Sequence, residues 1–240
     1  MLTFLRKIRK SLIESGSVRK YLIYGIGEIL LVMIGILLAL QVNNWNEWRK
    51  ERKKEIEVLQ DLKTNLERNL TIMDNFIGRL DQIDHSAAII KHVIENKSPY
   101  SDTLGMHFLR GSRIGAYEFF LNFDGYTSLE NAGFDIISER VLRDNIRTLY
   151  EVNYSSTANF TDYLKTFVER VQTLFSSYFY VLGNTGPEPI DYKALLSDKK
   201  YISELNTMSF LRNQFKTSFI IESYSETQRV LQLINEELGD

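Results

Sequence analysis

The residues of this sequence best suited to bind a metal are its three histidines, His85, His92 and His107. Asp81 and His85 lie four residues apart and His92 follows seven residues later, so these three side chains share one face of a helix. Neither the HExxH motif of zinc enzymes nor the Glu-x-x-His pattern of di-iron bundles occurs. Solvated polar residues beside an apolar stripe explain the spacing better. We therefore predict no metal-binding residues and no cofactor.

The sequence also lacks the motifs of covalent catalysis. Cysteine is absent, which removes thiol nucleophiles and thiolate metal sites. The G-x-S-x-G elbow of serine hydrolases does not occur, and Gly25-Ile-Gly27 lies inside an apolar segment instead of a phosphate-binding loop. We predict no catalytic residues and expect that the protein is not an enzyme.

The charge distribution argues against nucleic acid as a partner. Residues 1–54 contain 11 Lys or Arg and 4 Asp or Glu, and residues 55–240 contain 18 and 27. The first part therefore carries a formal charge of +7 and the second part −9, which gives the overall −2. Nucleic-acid binding requires a clustered basic surface, which an acidic main body does not favour.

An apolar segment over residues 21–42 explains the basic first part. Thirteen of its 22 residues are Ile, Leu or Val, and Glu28 is its only residue charged at neutral pH. A helix of about 20 residues crosses the roughly 30 Å hydrocarbon layer of a bilayer. The apolar region of a cleaved signal peptide is shorter, about 7 to 15 residues. We predict an uncleaved signal anchor that spans the membrane once.

The residues on either side of this segment indicate how it sits in a bilayer. Tyr21 and Tyr24 at one end and Trp45 and Trp48 at the other are predicted to anchor the two membrane interfaces. Residues 1–20 form a basic amphipathic segment suited to anionic cytoplasmic headgroups. We expect a cytoplasmic N-terminus and a C-terminal domain on the opposite side, although basic residues flank both ends of the span.

One face of the predicted membrane helix differs from the rest. Gly25, Glu28, Val32, Gly35 and Ala39 fall on the same side of the helix. Small residues allow close helix approach, and ionisable groups within membranes usually face protein. This pattern predicts a packing face for a second copy of the chain or for another membrane protein. The alternative is that Glu28, about 10 Å deep, is solvated by water and headgroups.

The remaining sequence predicts an all-α fold, an extracytoplasmic antiparallel bundle of long helices with a small helical cap. Apolar residues recur every three or four positions in each long segment, and Ser138 is a candidate N-cap. The expected segments are a long stalk helix at 43–97, short helices and turns forming the cap at 98–137, a long helix with a bend allowed in its middle at 138–182, a loop at 183–189, and a short helix followed by a C-terminal long helix at 190–240.

Two stretches carry a resemblance to a known family, KYLIYGIGEILLVMIGILLALQVNNWNE at residues 20–47 and YTSLENAGFDIISERVLRDNIRTLYE at residues 126–151. The sequence resembles a family of single-pass envelope proteins of Bacteroidota-type bacteria that is classed as a domain of unknown function. The resemblance implies a bacterial inner-membrane protein with a periplasmic helical domain. It implies no activity and no site residues.

These observations favour a membrane-anchored interaction or scaffold subunit of the bacterial cell envelope. Its expected partners are the lipid bilayer and, through the membrane helix, either its own copy or another membrane protein. One alternative is a periplasmic helical bundle that senses a ligand and signals through a partner transmembrane protein. An enzyme is the third possibility, and it lacks a recognisable set of catalytic residues.

Overall fold

A computed structural model describes residues 18–115, 119–181 and 186–239 of the chain. The described residues are mostly helical, as the sequence predicts, and one long apolar helix lies near the N-terminus. The chain divides into two compact units, Met1–Lys54 and Glu55–Asp240. The predicted basic segment at 1–20 falls outside the described residues apart from its last three.

The elements follow one another along the chain with short connections. They are α1 (Val18–Asn96), α2 (Leu104–Gly111), α3 (Asp124–Ala132), a 3-10 turn (Phe134–Ile136), α4 (Arg140–Thr148), a π-helical segment (Leu149–Tyr154), α5 (Ser155–Lys165), α6 (Val168–Tyr178), β1 (Phe179–Val181), β2 (Pro187–Pro189), α7 (Tyr192–Leu195), α8 (Lys199–Phe215), a second π-helical segment (Lys216–Ile220) and α9 (Ile221–Leu238).

Helix α1 includes both the predicted membrane segment and the predicted stalk without a break. No proline occurs before Pro99, so nothing in the covalent chain interrupts the backbone hydrogen bonds. The helix ends where Lys97 adopts a left-handed φ of 46°, a conformation typical of the residue after a helix C-terminus. Pro99 follows and prevents the helix from continuing.

Within the second unit, one stripe of α1 is buried and forms the spine of the core. Three hydrophobic clusters follow one another along it. In α1 the first contains Leu59, Leu62 and Leu66, the second contains Met73, Phe76, Leu80 and Ile83, and the third contains Ile90 and Val93. The spacing of three and four residues matches the helical period, which is why the sequence predicted this helix.

The segment at 98–137 consists of short helices and turns that contribute to all three hydrophobic clusters. Its buried residues enter the three clusters in reverse order, Leu104 and Phe108 in the third, Ile114 and Phe119 in the second, and Tyr126, Leu129 and Ile137 in the first. The segment therefore returns along the whole buried length of α1. A stripe of this length leaves apolar surface exposed unless the next part of the chain covers it.

The helices that follow enter the three clusters in two opposite orders. Leu142, Leu164 and Phe179 enter the first, second and third clusters in turn, so α4 to α6 run in the same direction as α1. Tyr201, Met208 and Val230 enter the clusters in the opposite order, so α8 and α9 run back. The return segment makes this order possible, because it brings the chain back to the start of the stripe before α4.

The predicted helix at 138–182 is interrupted. A π-helical segment (Leu149–Tyr154) lies in its Asn- and Ser-rich middle, and a turn at 166–167 separates α5 from α6. The N-cap of α4 is Glu139, whose Oε2 accepts a hydrogen bond from the backbone N–H of Leu142 at 2.6 Å. Ser138, the expected cap, donates its backbone N–H and its hydroxyl to the buried Glu55 carboxylate instead, at 2.7 and 2.9 Å.

A short antiparallel strand pair was not predicted. Phe179 pairs with Pro189 and Tyr180 with Glu188, and the Tyr180 hydroxyl donates to Glu188 at 2.9 Å. Both strands contain three residues, which is too few for alternation to be visible in the sequence. Prolines are tolerated in β2 because each strand of a two-stranded sheet is an edge strand.

Four buried hydroxyl residues form a polar line between two helical stretches, which we call the hydroxyl seam. The Tyr154 hydroxyl lies 2.7 Å from Thr227 Oγ1, and Thr157 Oγ1 lies 2.9 Å from Ser223 Oγ. All four side chains are at most 1% exposed. Thr157 and Thr227 also donate to backbone carbonyls one turn earlier in their own helices, so the buried hydroxyl groups are hydrogen-bonded.

Candidate functional site

The longest run of exposed apolar side chains among the described residues lies in the first part of α1. Fifteen large apolar side chains between Leu22 and Val42 are exposed, with fractional exposures from 45% at Met33 to 72% at Leu31. By length and composition this is the one helix of the described residues that is long and apolar enough to cross a membrane. A signal sequence near the N-terminus meets the same criterion, so this property alone fixes neither a compartment nor an orientation.

The predicted packing face lies on this exposed stretch. Val32, Gly35 and Ala39 are exposed, and Gly25 and Glu28 are half-buried. A Cβ atom built at Gly25 or at Gly35 would meet no atom within 4 Å. The described chain therefore leaves space at these positions for another helix.

The predicted interfacial anchors are exposed where the structure describes them. Tyr24 is 56% exposed, and Trp45 and Trp48 are each 60% exposed. The side chain of Tyr21 lies outside the described residues. Exposed aromatic rings at both ends of an apolar helix are typical of membrane interfaces, where one side of the ring is wet and the other is not.

The histidine cluster considered from the sequence is not assembled into a metal site. Asp81 forms an ion pair with Lys216, and His85 is exposed. The His92 ring lies 3.2 Å from the side-chain nitrogen of Asn96. His107 belongs to α2, and its Nδ1 lies 3.3 Å from Ser86 Oγ of α1. Among the described residues no three His, Asp or Glu side chains are grouped as metal ligands.

Arg212 is a charged residue of α8 next to Leu211 of the second cluster, and its side chain is fully buried. Its Nε donates to Asp84 Oδ1 at 2.9 Å, and its Nη2 donates to Ser209 Oγ at 3.1 Å. Its Nη1 donates to the carbonyl oxygens of Arg113 at 2.7 Å and Gly111 at 3.3 Å. Burial lowers the pKa of the Arg212 guanidinium, while Asp84 acts in the opposite sense. The guanidinium nevertheless stays charged, because arginine titrates far above neutral pH.

The hydrogen bonds from Arg212 to the carbonyl oxygens of Gly111 and Arg113 fix the residues that follow α2. Gly111 ends this helix against α1, since a Cβ atom added there would lie 3.0 Å from Ala87 Cα. Gly115 has a φ of +83°, and a Cβ atom there would lie 2.7 Å from Leu80 Cδ2. Residues 111–115 are thus fixed against α1 by one buried cation and by two close glycine contacts.

This fixed chain forms one wall of a cleft with a volume of about 670 Å³. Arginines 79, 110 and 113 line it together with Gln82, Gln172 and two serines. Its apolar lining comes from α1, from the chain around α2 and from α6, including Leu80, Ile83, Leu109, Ile114, Val171 and Phe175. We call this space the arginine cleft.

The sequence did not identify Arg212 or the arginine cleft. A signal for Arg212 exists, because Leu205, Met208 and Phe215 define an apolar stripe of α8 in which position 212 also falls. The cleft has no such signal. Arg79 and Arg110 are 31 residues apart (110 − 79), and only the return path of residues 98–137 brings them to the same cavity.

The comparison with known families gives one result. Residues 28–214 match the family of unknown function DUF6090. The chain belongs to the DUF6090 family. No curated protein and no solved structure matches the chain.

The DUF6090 match covers most of the chain but leaves out residues at both ends. It begins at Glu28, inside the exposed apolar stretch, and it contains all three arginines of the cleft and Arg212. It ends in α8 before the second π-helical segment and α9. DUF6090 membership therefore applies to both compact units, and it brings no known activity to either.

Proposed function

We propose that this chain is a membrane-anchored helical scaffold of the bacterial cell envelope, without catalytic activity. In this proposal α1 spans the inner membrane once, the N-terminus is cytoplasmic, and the unit Glu55–Asp240 is a periplasmic helical bundle that binds partner proteins. The observation that carries the proposal is the exposed apolar stretch of α1 between Leu22 and Val42.

The size of this stretch supports insertion into lipid. Monomeric soluble proteins rarely expose apolar patches larger than a few hundred Å². In a bilayer each aliphatic residue contributes roughly −0.3 to −0.6 kcal/mol, against about +3 kcal/mol for one central charge. Thirteen Ile, Leu and Val residues at 21–42 therefore outweigh Glu28. A helix also hydrogen-bonds its own backbone, which a lipid environment requires.

The packing face supports a protein partner within the membrane. Glu28 lies on the same side as Gly35 and Ala39, and the open space at Gly35 permits another helix to approach closely. A carboxyl group in hydrocarbon is more stable when it is protonated or hydrogen-bonded to protein than when it faces lipid. The partner is a second copy of the chain or a different membrane protein.

The orientation and the bacterial envelope rest on the sequence. Basic residues at 6–20 favour the cytoplasmic side for the N-terminal flank of the apolar segment. The family resemblance supports a single-pass envelope protein of Bacteroidota-type bacteria. The independent hydrophobic core of Glu55–Asp240 supports a folded domain outside the bilayer.

Photo-crosslinking from single cysteines tests the packing face. The chain contains no natural cysteine, so Gly35→Cys and Ala39→Cys can each carry one benzophenone maleimide in native membranes. Leu30→Cys and Leu37→Cys, on the opposite side of the helix, are the matched controls. We expect crosslinks from 35 and 39 and few from 30 and 37, and the mass of the product distinguishes a dimer from another partner. Equal crosslinking from both sides would overturn the packing proposal.

A further inference from the structure

We propose that the arginine cleft of the second unit is a binding site for a small organic anion with an apolar body. The proposal does not depend on the scaffold function, since it concerns a cavity entirely within residues 79–176. If it holds, it supplies a ligand for the alternative in which the helical bundle senses a small molecule.

The charges of the cleft favour an anion. Arg79, Arg110 and Arg113 line it, and none of its described lining residues is Asp or Glu. Among the described residues no carboxylate pairs with Arg110 or Arg113. Residues 55–240 as a whole, these arginines included, carry a formal charge of −9. Arg110 and Arg113 therefore produce a local positive potential that attracts anions.

The arginine side chain also sets the shape of the anionic group. Its planar fork of N–H donors matches the two oxygens of a carboxylate or of a phosphate. Gln82 and Gln172 add neutral donors and acceptors beside it. The Arg79 guanidinium lies 5.4 Å from the centre of the Phe76 ring, a position that keeps this cation over an aromatic face next to the cleft.

The rest of the lining favours an apolar body on the ligand. Leu80 and Ile83 of α1 lie on one side, and Val168, Val171 and Phe175 of α6 lie on another. A free inorganic anion would leave these side chains uncovered, whereas an aromatic or branched carboxylate would bury them. The volume of about 670 Å³ falls within the range of about 300–1,000 Å³ that is usual for small-molecule sites.

The wall that carries two of the arginines is fixed before any ligand binds. Arg212 holds the carbonyl oxygens of Gly111 and Arg113, and Asp84 holds Arg212. A site that is already ordered loses less conformational entropy when a ligand binds. We therefore expect Arg212 to be a positioning residue for the cleft, without contact to the ligand.

Calorimetric titration of the full chain in a neutral maltoside detergent tests the proposal. The probes are 2-naphthoate and 1-naphthyl phosphate, and 2-naphthamide is the uncharged control. The test variant is Arg110→Gln with Arg113→Gln. Its control is Arg68→Gln with Arg140→Gln, which removes the same charge from two exposed arginines outside the cleft. Gln172→Trp, at an exposed lining position, fills the cleft without removing a charge.

We expect at least one of the two anions to bind the natural chain and the control variant alike. Binding to the test variant should be weaker by about tenfold or more, because charge-assisted hydrogen bonds are lost. Gln172→Trp should abolish binding, with an unchanged unfolding midpoint showing that it folds. The proposal would be overturned if neither anion binds the natural chain, or if naphthamide binds as tightly as the anions. It would also be overturned if the test variant binds the anions as tightly as the control variant.

Discussion

Arg212 shows how one charged side chain organises three parts of the fold. It lies on α8, its counter-ion Asp84 lies on α1, and its two carbonyl acceptors lie at the end of α2. Arg212 is fully buried, whereas the Asp84 side chain is 37% exposed. The arginine therefore depends on these contacts more than its counter-ion does, because water reaches only Asp84.

We predict that Arg212→Met lowers the free energy of unfolding by about 3 kcal/mol, the cost typical of breaking a buried ion pair and leaving carbonyl groups unpaired. Methionine keeps much of the apolar volume, so the loss reports on the polar contacts. Arg229→Met is the control, since Arg229 forms an exposed ion pair with Glu226 and should change stability by less than about 1 kcal/mol. Urea denaturation followed by circular dichroism measures both, and equal midpoints for the two variants would contradict the prediction.

Buried tyrosines should make the second unit less stable at alkaline pH. Burial raises the pKa of Tyr154 to about 12, although hydrogen bonding to Thr227 opposes this effect. Burial also raises the pKa of Tyr150 and of Tyr201. The unfolded chain releases a tyrosine proton near pH 10. Above this pH the folded state binds more protons than the unfolded state, so stability is complete below about pH 10 and falls as the pH rises towards the folded pKa.

Replacing Tyr154 by phenylalanine should remove the contribution of one tyrosine proton to the pH dependence of the free energy of unfolding. Between about pH 10 and about pH 12, each such tyrosine contributes a slope of about −1.4 kcal/mol per pH unit. We expect Tyr154→Phe to make the decline less steep by about this amount. Urea midpoints measured across this pH range, together with tyrosinate absorbance, provide the test. A slope identical to that of the natural chain would show that Tyr154 ionises at the same pH in both states.

At the scale of elements, α2 and the strand pair meet at a glycine. A Cβ atom added to Gly105 of α2 would lie 2.6 Å from the carbonyl oxygen of Pro187 in β2. Gly78 in α1 is the opposite case, because a Cβ atom there meets nothing within 4 Å. Gly105 is therefore required by close packing. Gly78 has no such requirement, and it only destabilises its helix relative to alanine.

We predict opposite effects of alanine at these two positions. Gly105→Ala should destabilise the protein by about 1–3 kcal/mol, because backbone must move to make room. Gly78→Ala should stabilise it by about 0.5–1 kcal/mol, because alanine loses less conformational freedom in a helix. Thermal unfolding of both variants measures the difference. A stabilising Gly105→Ala would mean that α2 and β2 are not in contact.

Helical periodicity accounts for what the sequence predicted of these elements. The stripe of α1 and the stripe through α8 and α9 repeat every three or four residues, so the helices and their buried faces were predictable. Periodicity does not state which neighbour covers a buried face. The return path of residues 98–137 and the parallel direction of α4 to α6 therefore had to come from the structure.

The candidate sites also divide into one that local helical periodicity predicts and one that depends on contacts between distant residues. Which residues share the face of Gly25, Glu28, Val32, Gly35 and Ala39 depends only on local helical geometry, so a sequence pattern can propose it, and its role in packing stays a prediction. The arginine cleft depends on lining residues of α1, α2 and α6 that lie about 30 to 100 positions apart in the sequence, and no local pattern encodes such contacts.

At the scale of the whole molecule, the anchoring helix and the folded unit should separate experimentally. We expect the full chain to sediment with membranes after alkaline carbonate extraction, because residues 21–42 remain in the bilayer. A chain starting at Glu55 keeps all three hydrophobic clusters and should be recovered in the supernatant with helical circular dichroism. Release of the full chain by carbonate would contradict the membrane anchor.

The hydroxyl seam selects a single alignment of the helices that carry it. From Tyr154 to Thr157 the chain advances three positions, while from Thr227 to Ser223 the partner goes back four, so both pairs form only at one sliding position. Sliding by one residue would break both pairs and leave the buried Ser223 hydroxyl without its Thr157 partner, at about 1–3 kcal/mol. Two purely aliphatic faces would tolerate several alignments with similar energies. Deleting a single residue between the two contacts on either side should therefore abolish the unique ground state, even where hydrophobic burial is nearly preserved.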